Sequence, residues 1–254
     1  MIDAHYPPLV AGYAVALVAW LLVSRAKWSP WPAAPAPTFE RPWRETAYAL
    51  LSGVGVILLG QLWVRGIHLP ETGGPGPLFA AINQMLIFAP MPILLLLRRD
   101  GPVTAWLPPA RLGTRFAVGL GVAALAVITY SLLRAGADTP VAIAGRIVQY
   151  WHLDEAVQVF MEDLAIAVVL VRFAAAVGRT RAVVIVAVLF AAAHVPSMLA
   201  GGTTPAELGR LAVDAALAVG ILGVLMRSRD IVWFWCLHFT MDMTQFPRIV
   251  HGAS

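Results

Sequence analysis

Three polar sites interrupt apolar stretches of the chain: Glu162 and Asp163 before LAIAVVLV, His194 within LFAAAHVPS, and His238 with Asp242 in CLHFTMD. An ionisable group inside a membrane-spanning stretch is costly and marks a functional site by default. Carboxylates and imidazoles can take a proton from water, return it to a leaving group, or bind a divalent metal. His238 and Asp242 stand four residues apart, which puts both on one face of one helix. Pro196 disfavours helical geometry at Val195, so His194 is expected just before a break where the backbone can open toward a cavity.

The elements that must hold these groups are membrane helices. The 254 residues are 59% hydrophobic and 13% charged, with a mean hydropathy of +0.77, far from the soluble average. The expected fold is all-α, one integral membrane domain over residues 1–254. Windows of about 20 apolar residues predict about eight transmembrane helices, at 9–24, 45–68, 78–97, 114–134, 152–177, 181–200, 206–226 and 231–250. The polar site falls among the C-terminal ones. Asp3 and His5 stand where a signal peptide carries basic residues, so the first helix reads as retained. No internal repeat argues for a transporter of two equivalent halves.

Lys+Arg (18) exceed Asp+Glu (14) and the isoelectric point is near 9.7, a balance that in a soluble chain would suggest nucleic acid. Here the basic residues lie in short loops between apolar runs, so they report topology, and no nucleic-acid partner is expected. Arg25, Lys27, Arg41, Arg44, Arg98, Arg99, Arg111, Arg115, Arg172, Arg179, Arg181, Arg227 and Arg229 cluster around the odd-numbered loops. That alternation places both termini outside the cytoplasm of what reads as a bacterial plasma membrane. Cys236 is the only cysteine, which excludes an intrachain disulfide and a cysteine-based zinc site.

The Pro-rich stretch at 29–43 reads as a semi-rigid cytoplasmic connector, and Trp28, Trp31 and Trp43 as an interfacial aromatic belt. Asn83, Gln84, Pro90 and Pro92 are expected to bend the third helix and satisfy freed backbone groups. Arg172 is expected to snorkel to the inner face.

Depth decides whether the polar sites can meet. At about 1.5 Å per residue, His194 lies roughly 20 Å above Arg181, and His238 and Asp242 roughly 13 and 20 Å above Arg229. Glu162 comes to roughly 15 Å from either face of the hydrocarbon core. All four share one midplane layer. A lone histidine at this depth would read as an interhelical hydrogen bond, but two histidines and three acids exceed what helix packing requires. Asp214 shares the layer and reads first as a structural partner, with a proton relay or a site member as alternatives; Phe190, one turn before His194, would ordinarily be core, and Asp163, Phe190 and Asp214 stand as supporting residues of the site.

The series Glu162-Asp163, Phe190-x-x-x-His194 and His238-x-x-x-Asp242, in that order on successive helices, resembles the CPBP family of intramembrane proteases. That family includes the type II CAAX prenyl endopeptidases and bacteriocin-processing or self-immunity proteins. The resemblance covers about residues 150–246. It implies that Glu162 and His194 activate a water while His238 and Asp242 stabilise the oxyanion, with a membrane-associated peptide or protein as substrate. The family writes two glutamates, three residues and an arginine; this chain has Asp163 for the second glutamate and Ala167 in place of the arginine. Asn would be an easier occupant than Asp242 beside an oxyanion.

No cofactor is expected for that chemistry. A zinc ion held by His194, His238, Asp242 and Glu162 is the alternative use of the same atoms. The chain lacks H-E-x-x-H for a zincin, G-x-G-D for an aspartyl enzyme, Gly-x-Ser-Gly for a rhomboid-like enzyme and the spaced histidine boxes of a di-iron desaturase. The non-enzymatic readings are a membrane scaffold, or a proton-coupled carrier that relays through Glu162, Asp163, Asp214 and the histidines. Oligomeric state has no signature in the sequence.

Overall fold

The structure is a computed structural model that describes residues 6–31, 36–70, 76–134, 139–200, 202–204 and 208–244. Apolar runs set helices, and proline or glycine sets their ends. The helices are α1 (Tyr6–Val23), α2 (Pro42–Val64), α3 (Gly76–Phe88), α4 (Pro90–Arg98), α5 (Leu112–Leu133), α6 (Pro140–Ile147), α7 (Leu153–Val177), α8 (Arg179–Ala193), α9 (Val195–Ala200), α10 (Arg210–Ser228) and α11 (Ile231–Asp242). Pro42, Pro90 and Pro140 open α2, α4 and α6, where a missing N–H costs nothing. Gly178, at φ 83°, turns the chain between α7 and α8 in a conformation that disfavours other residues. No strand occurs among the described residues.

The acid-bearing α7 is the hub, packed against α2, α3, α8 and α11. On the far side, α5 packs on both α1 and α11, and α10 on α8 and α1. The contact between α5 and α11 is closed by Gly119: a Cβ there would meet the Trp233 Cα at 2.8 Å and the Cys236 Cβ at 2.9 Å. The α1 helix is built into the same core, with Trp20 stacked on Trp233 at a centroid distance of 5.0 Å and set edge-on to Trp31 at 5.4 Å. The outer surface is apolar; Leu96 and Leu97 are each 77% exposed, a surface that lipid rather than water covers.

Four helices among the described residues are long and apolar enough to cross a bilayer: α1, α2, α5 and the 211–228 part of α10. The pair α3 and α4, bent by 52°, counts as a fifth if taken as one span. The eight expected spans therefore do not all appear, and the polar site is the physical reason. At 25 residues α7 is long enough but carries Asp154, Glu155, Glu162, Asp163 and Arg172, whereas α8 and α11 run only 15 and 12 residues.

The expected bend in the third helix sits at Ala89, next to Pro90. Asn83 does not serve it: its side chain accepts from the Leu69 N–H and donates to the Leu69 carbonyl, each at 3.0 Å, and so pins the chain after α2. Two other expectations are corrected. Trp28 and Trp43 are exposed as a belt requires, but Trp31 is 6% exposed and donates its indole N–H to Asp230 at 3.0 Å. Arg172 does not snorkel. It is fully buried, donating to Asp100 at 2.5 Å and to the Val168 carbonyl at 3.0 Å, with Glu45 at 3.9 Å and the ring of Phe39 beneath it. A buried guanidinium persists only with such partners.

Candidate active site

Consecutive residues of an α-helix point about 100° apart, and on α7 that rotation sends two neighbouring acids to two different helices. Glu162 faces α8, where its carboxylate stands 3.8 Å from His194 Nε2. Asp163 faces α11 and bonds His238 Nδ1 at 2.8 Å. The other ring nitrogen of His238, Nε2, lies 3.8 Å from Asp242, one turn further along α11. Asp242 in turn lies within reach of the charges of Glu162 and His194. Glu162, Asp163, His194, His238 and Asp242 thus form one cluster, as the depth argument expected.

The proton positions follow from the partners. His194 Nδ1 lies 2.8 Å from the Phe190 carbonyl, which only accepts, so Nδ1 carries the hydrogen and Nε2 is turned to Glu162. His238 Nδ1 donates to Asp163 by the same logic, leaving Nε2 toward Asp242. His194 occupies the break between α8 and α9, where Pro196 was expected to open the helix. Each histidine carries a phenylalanine four residues before it: Phe190 meets His194 edge-on at 4.8 Å, and Phe234 stacks on His238 at 5.4 Å. Phe190 was expected as core and is half-buried against the site; Phe234 was missed, although the repeated Phe-x-x-x-His spacing is visible in the sequence.

Glu162, Phe190 and His194 lie in the wall of a cavity of about 440 Å³ between α2, α3, α7 and α8. Its lining is apolar apart from these groups, Trp63 and the glutamines Gln61, Gln84 and Gln158. Gln158 sits one turn before Glu162, a second site neighbour that the motif search passed over. Asp214 lies half-buried on α10, outside both acid–histidine pairs.

The ends of α11 are held separately from the site. Asp230 caps its N-terminus through the Val232 N–H at 2.8 Å and also takes Trp31 and Arg115, so the depth of His238 is set from one anchored end. Burial pushes the Asp230 carboxyl up from its ordinary pKa, and Arg115, Val232 N–H and Trp31 pull it back. Beyond the other end, Arg146 of α6 donates to the Met243 carbonyl at 3.0 Å.

Residues 147–244 match the sequence model of the type II CAAX prenyl endopeptidase Rce1-like family. That segment is similar to the CPBP family of intramembrane proteases. The match takes in α7 to α11, which carry every residue of the cluster, while α1 to α5 lie outside it. Neither a curated protein nor a solved structure matches the chain. The CPBP family is one of membrane-embedded proteases, and the match together with the apolar helices marks the chain as an integral membrane protein.

The donor set also bears on a metal. The cluster brings two imidazoles and three carboxylates together, with 3.8 Å between the facing atoms of each open pair. Among the described residues, no three His, Cys, Asp or Glu side chains converge to hold one ion.

Proposed function

We propose that the chain hydrolyses a peptide bond of a membrane-associated peptide or protein, using a water activated between Glu162 and His194. The observation that carries this reading is the 3.8 Å separation of that pair in a cavity wall. It is too long for a direct hydrogen bond, yet one water oxygen at about 2.8 Å from each group fits astride it. Glu162 takes the proton as the water oxygen adds to the carbonyl carbon, and then returns it to the amine nitrogen as the C–N bond breaks. His194, with Nδ1–H tied to Phe190, accepts from the same water through Nε2.

The carbonyl oxygen becomes negative in this step and needs donors. His238, as an imidazolium between Asp163 and Asp242, donates from Nε2–H; Asp163 fixes the ring and balances its charge. Asp242 supports that imidazolium and is the position where an asparagine would serve as well. The apolar cavity leading to Glu162 suits a substrate that arrives from the lipid, and Asp214 serves the packing of α10. The test is cleavage of a reporter peptide by purified protein in detergent, expected for the wild type and lost in Glu162→Gln.

This reading includes the topology of about eight spans, with both termini outside the cytoplasm of a bacterial plasma membrane and the connector at 25–44 inside. Reporter fusions at residue 36 and at the C-terminus are expected to report opposite compartments; a shared compartment would end that topology.

A further inference from the structure

Tyr13 belongs to α1, outside the segment that matches the family and without any motif residue. Its side chain is 6% exposed, and among the described residues its hydroxyl has no hydrogen-bond partner. The phenol oxygen is not among the fully buried unpartnered atoms, so it keeps accessible surface where a substrate atom can meet it. Two contacts fix where it stands. Trp20 stacks on Trp233, and the Cβ position of Gly12 lies 3.0 Å from the Met241 side chain. These pairs share one antiparallel register between α1 and α11, and the register sets Tyr13 level with Thr240, between His238 and Asp242 in height. The charges of Asp242, Asp163 and Glu162 all reach Tyr13, Asp242 most strongly.

A neutral hydroxyl donates a hydrogen bond without first gaining a proton, which the carboxylates of the cluster cannot do. We propose that Tyr13 is a further catalytic residue whose hydroxyl donates to the scissile carbonyl oxygen as that oxygen becomes negative, beside His238. The assignment rests on the hydrolytic reading above and deepens it: α1 completes a site whose motifs all lie on α7 to α11. It also eases the difficulty of Asp242, since a second donor faces the oxyanion where a carboxylate would repel it.

The experiment is peptide cleavage by the purified full chain, comparing wild type, Tyr13→Phe, Glu162→Gln, Asp242→Asn and the Tyr13→Phe/Asp242→Asn pair. The ring is kept in Tyr13→Phe, so the fold should hold, checked by an unchanged thermal transition. The expected result is a fall in kcat of about 10²-fold with KM unchanged, the signature of an interaction made only in the transition state. The same fall is expected in the Asp242→Asn background. Wild-type kcat in Tyr13→Phe beside an inactive Glu162→Gln would overturn the Tyr13 role and leave the protease standing. A loss that vanishes in the Asp242→Asn background would also overturn it, making Tyr13 a positioning residue for Asp242. An inactive wild type would remove the hydrolytic reading and this inference with it.

Discussion

Glu162 and Asp163 are adjacent in the chain, each faces a histidine, and the two pairs are built in opposite ways. Asp163 is fully buried and bonds His238 at 2.8 Å, with that histidine 15% exposed. Glu162 is 18% exposed and stands 3.8 Å from His194, itself 46% exposed. The difference lies in their neighbours. Asp163 turns toward α11, anchored at Asp230 and in backbone contact with α5, whereas Glu162 turns toward the cavity and a helix end. A closed pair orients; an open pair admits a reactant. The proposed hydrolysis accordingly puts the reacting water at Glu162 and the holding of charge at Asp163.

The largest effect should come from the open pair. Glu162→Gln and His194→Ala are each expected to lower kcat by about 10³-fold or more while membrane abundance stays normal. Peptide cleavage measured against quantified protein checks this, and retained activity in Glu162→Gln would move the base role to Asp163. The closed pair should respond less: Asp163→Asn keeps an acceptor for His238 Nδ1–H but loses the balancing charge, and about 10²-fold in kcat is expected to go with it. If Asp163→Asn proved more damaging than Glu162→Gln, the contrast between the pairs would be reversed.

Away from the site the effect should be on stability. Arg172→Met strands Asp100 and part of Glu45, and removal of one partner of a buried pair costs about 3–5 kcal/mol. A lowered thermal transition is expected, with the activity of the remaining folded protein unchanged. The smallest effect belongs to Asp242→Asn, which keeps wild-type activity or improves on it, because an amide donates where a carboxylate repels. Chelators are expected to leave the wild type active, and inactivation by both Asn substitution and chelation would make His194, His238, Asp242 and Glu162 a metal site.

Local signals carried the parts of this architecture that depend on local physics. Hydropathy specified helices, Pro90 and Pro196 specified a bend and a break within a residue of where they occur, and four-residue spacing put His238 beside Asp242. Depth arithmetic brought the acids and histidines into one layer because rise per residue is the same in every helix. The expectation that Arg172 snorkels to the inner face failed, since the partners Asp100 and Glu45 that bury it lie on other elements. Trp31 was misplaced for the same reason, its partner Asp230 being 199 residues away. Which acid faces which histidine depends on the rotation of α7 within the bundle, and Tyr13 belongs to a helix with no motif to draw attention to it. Length and apolarity mark only four or five of the eight expected spans among the described residues, because α8 and α11 are short and α7 carries charges.

Gly119 gives the site an adjustable aperture. Because α5 and α11 touch there without an intervening side chain, no soft layer separates them, and any atom added at position 119 must move one helix bodily. The displacement would shift His238 against Asp163, whereas Glu162 and His194 are carried by α7 and α8, which do not touch Gly119. A graded series of side chains at this single position therefore acts as a wedge of known thickness, disturbing one half of the constellation before the other.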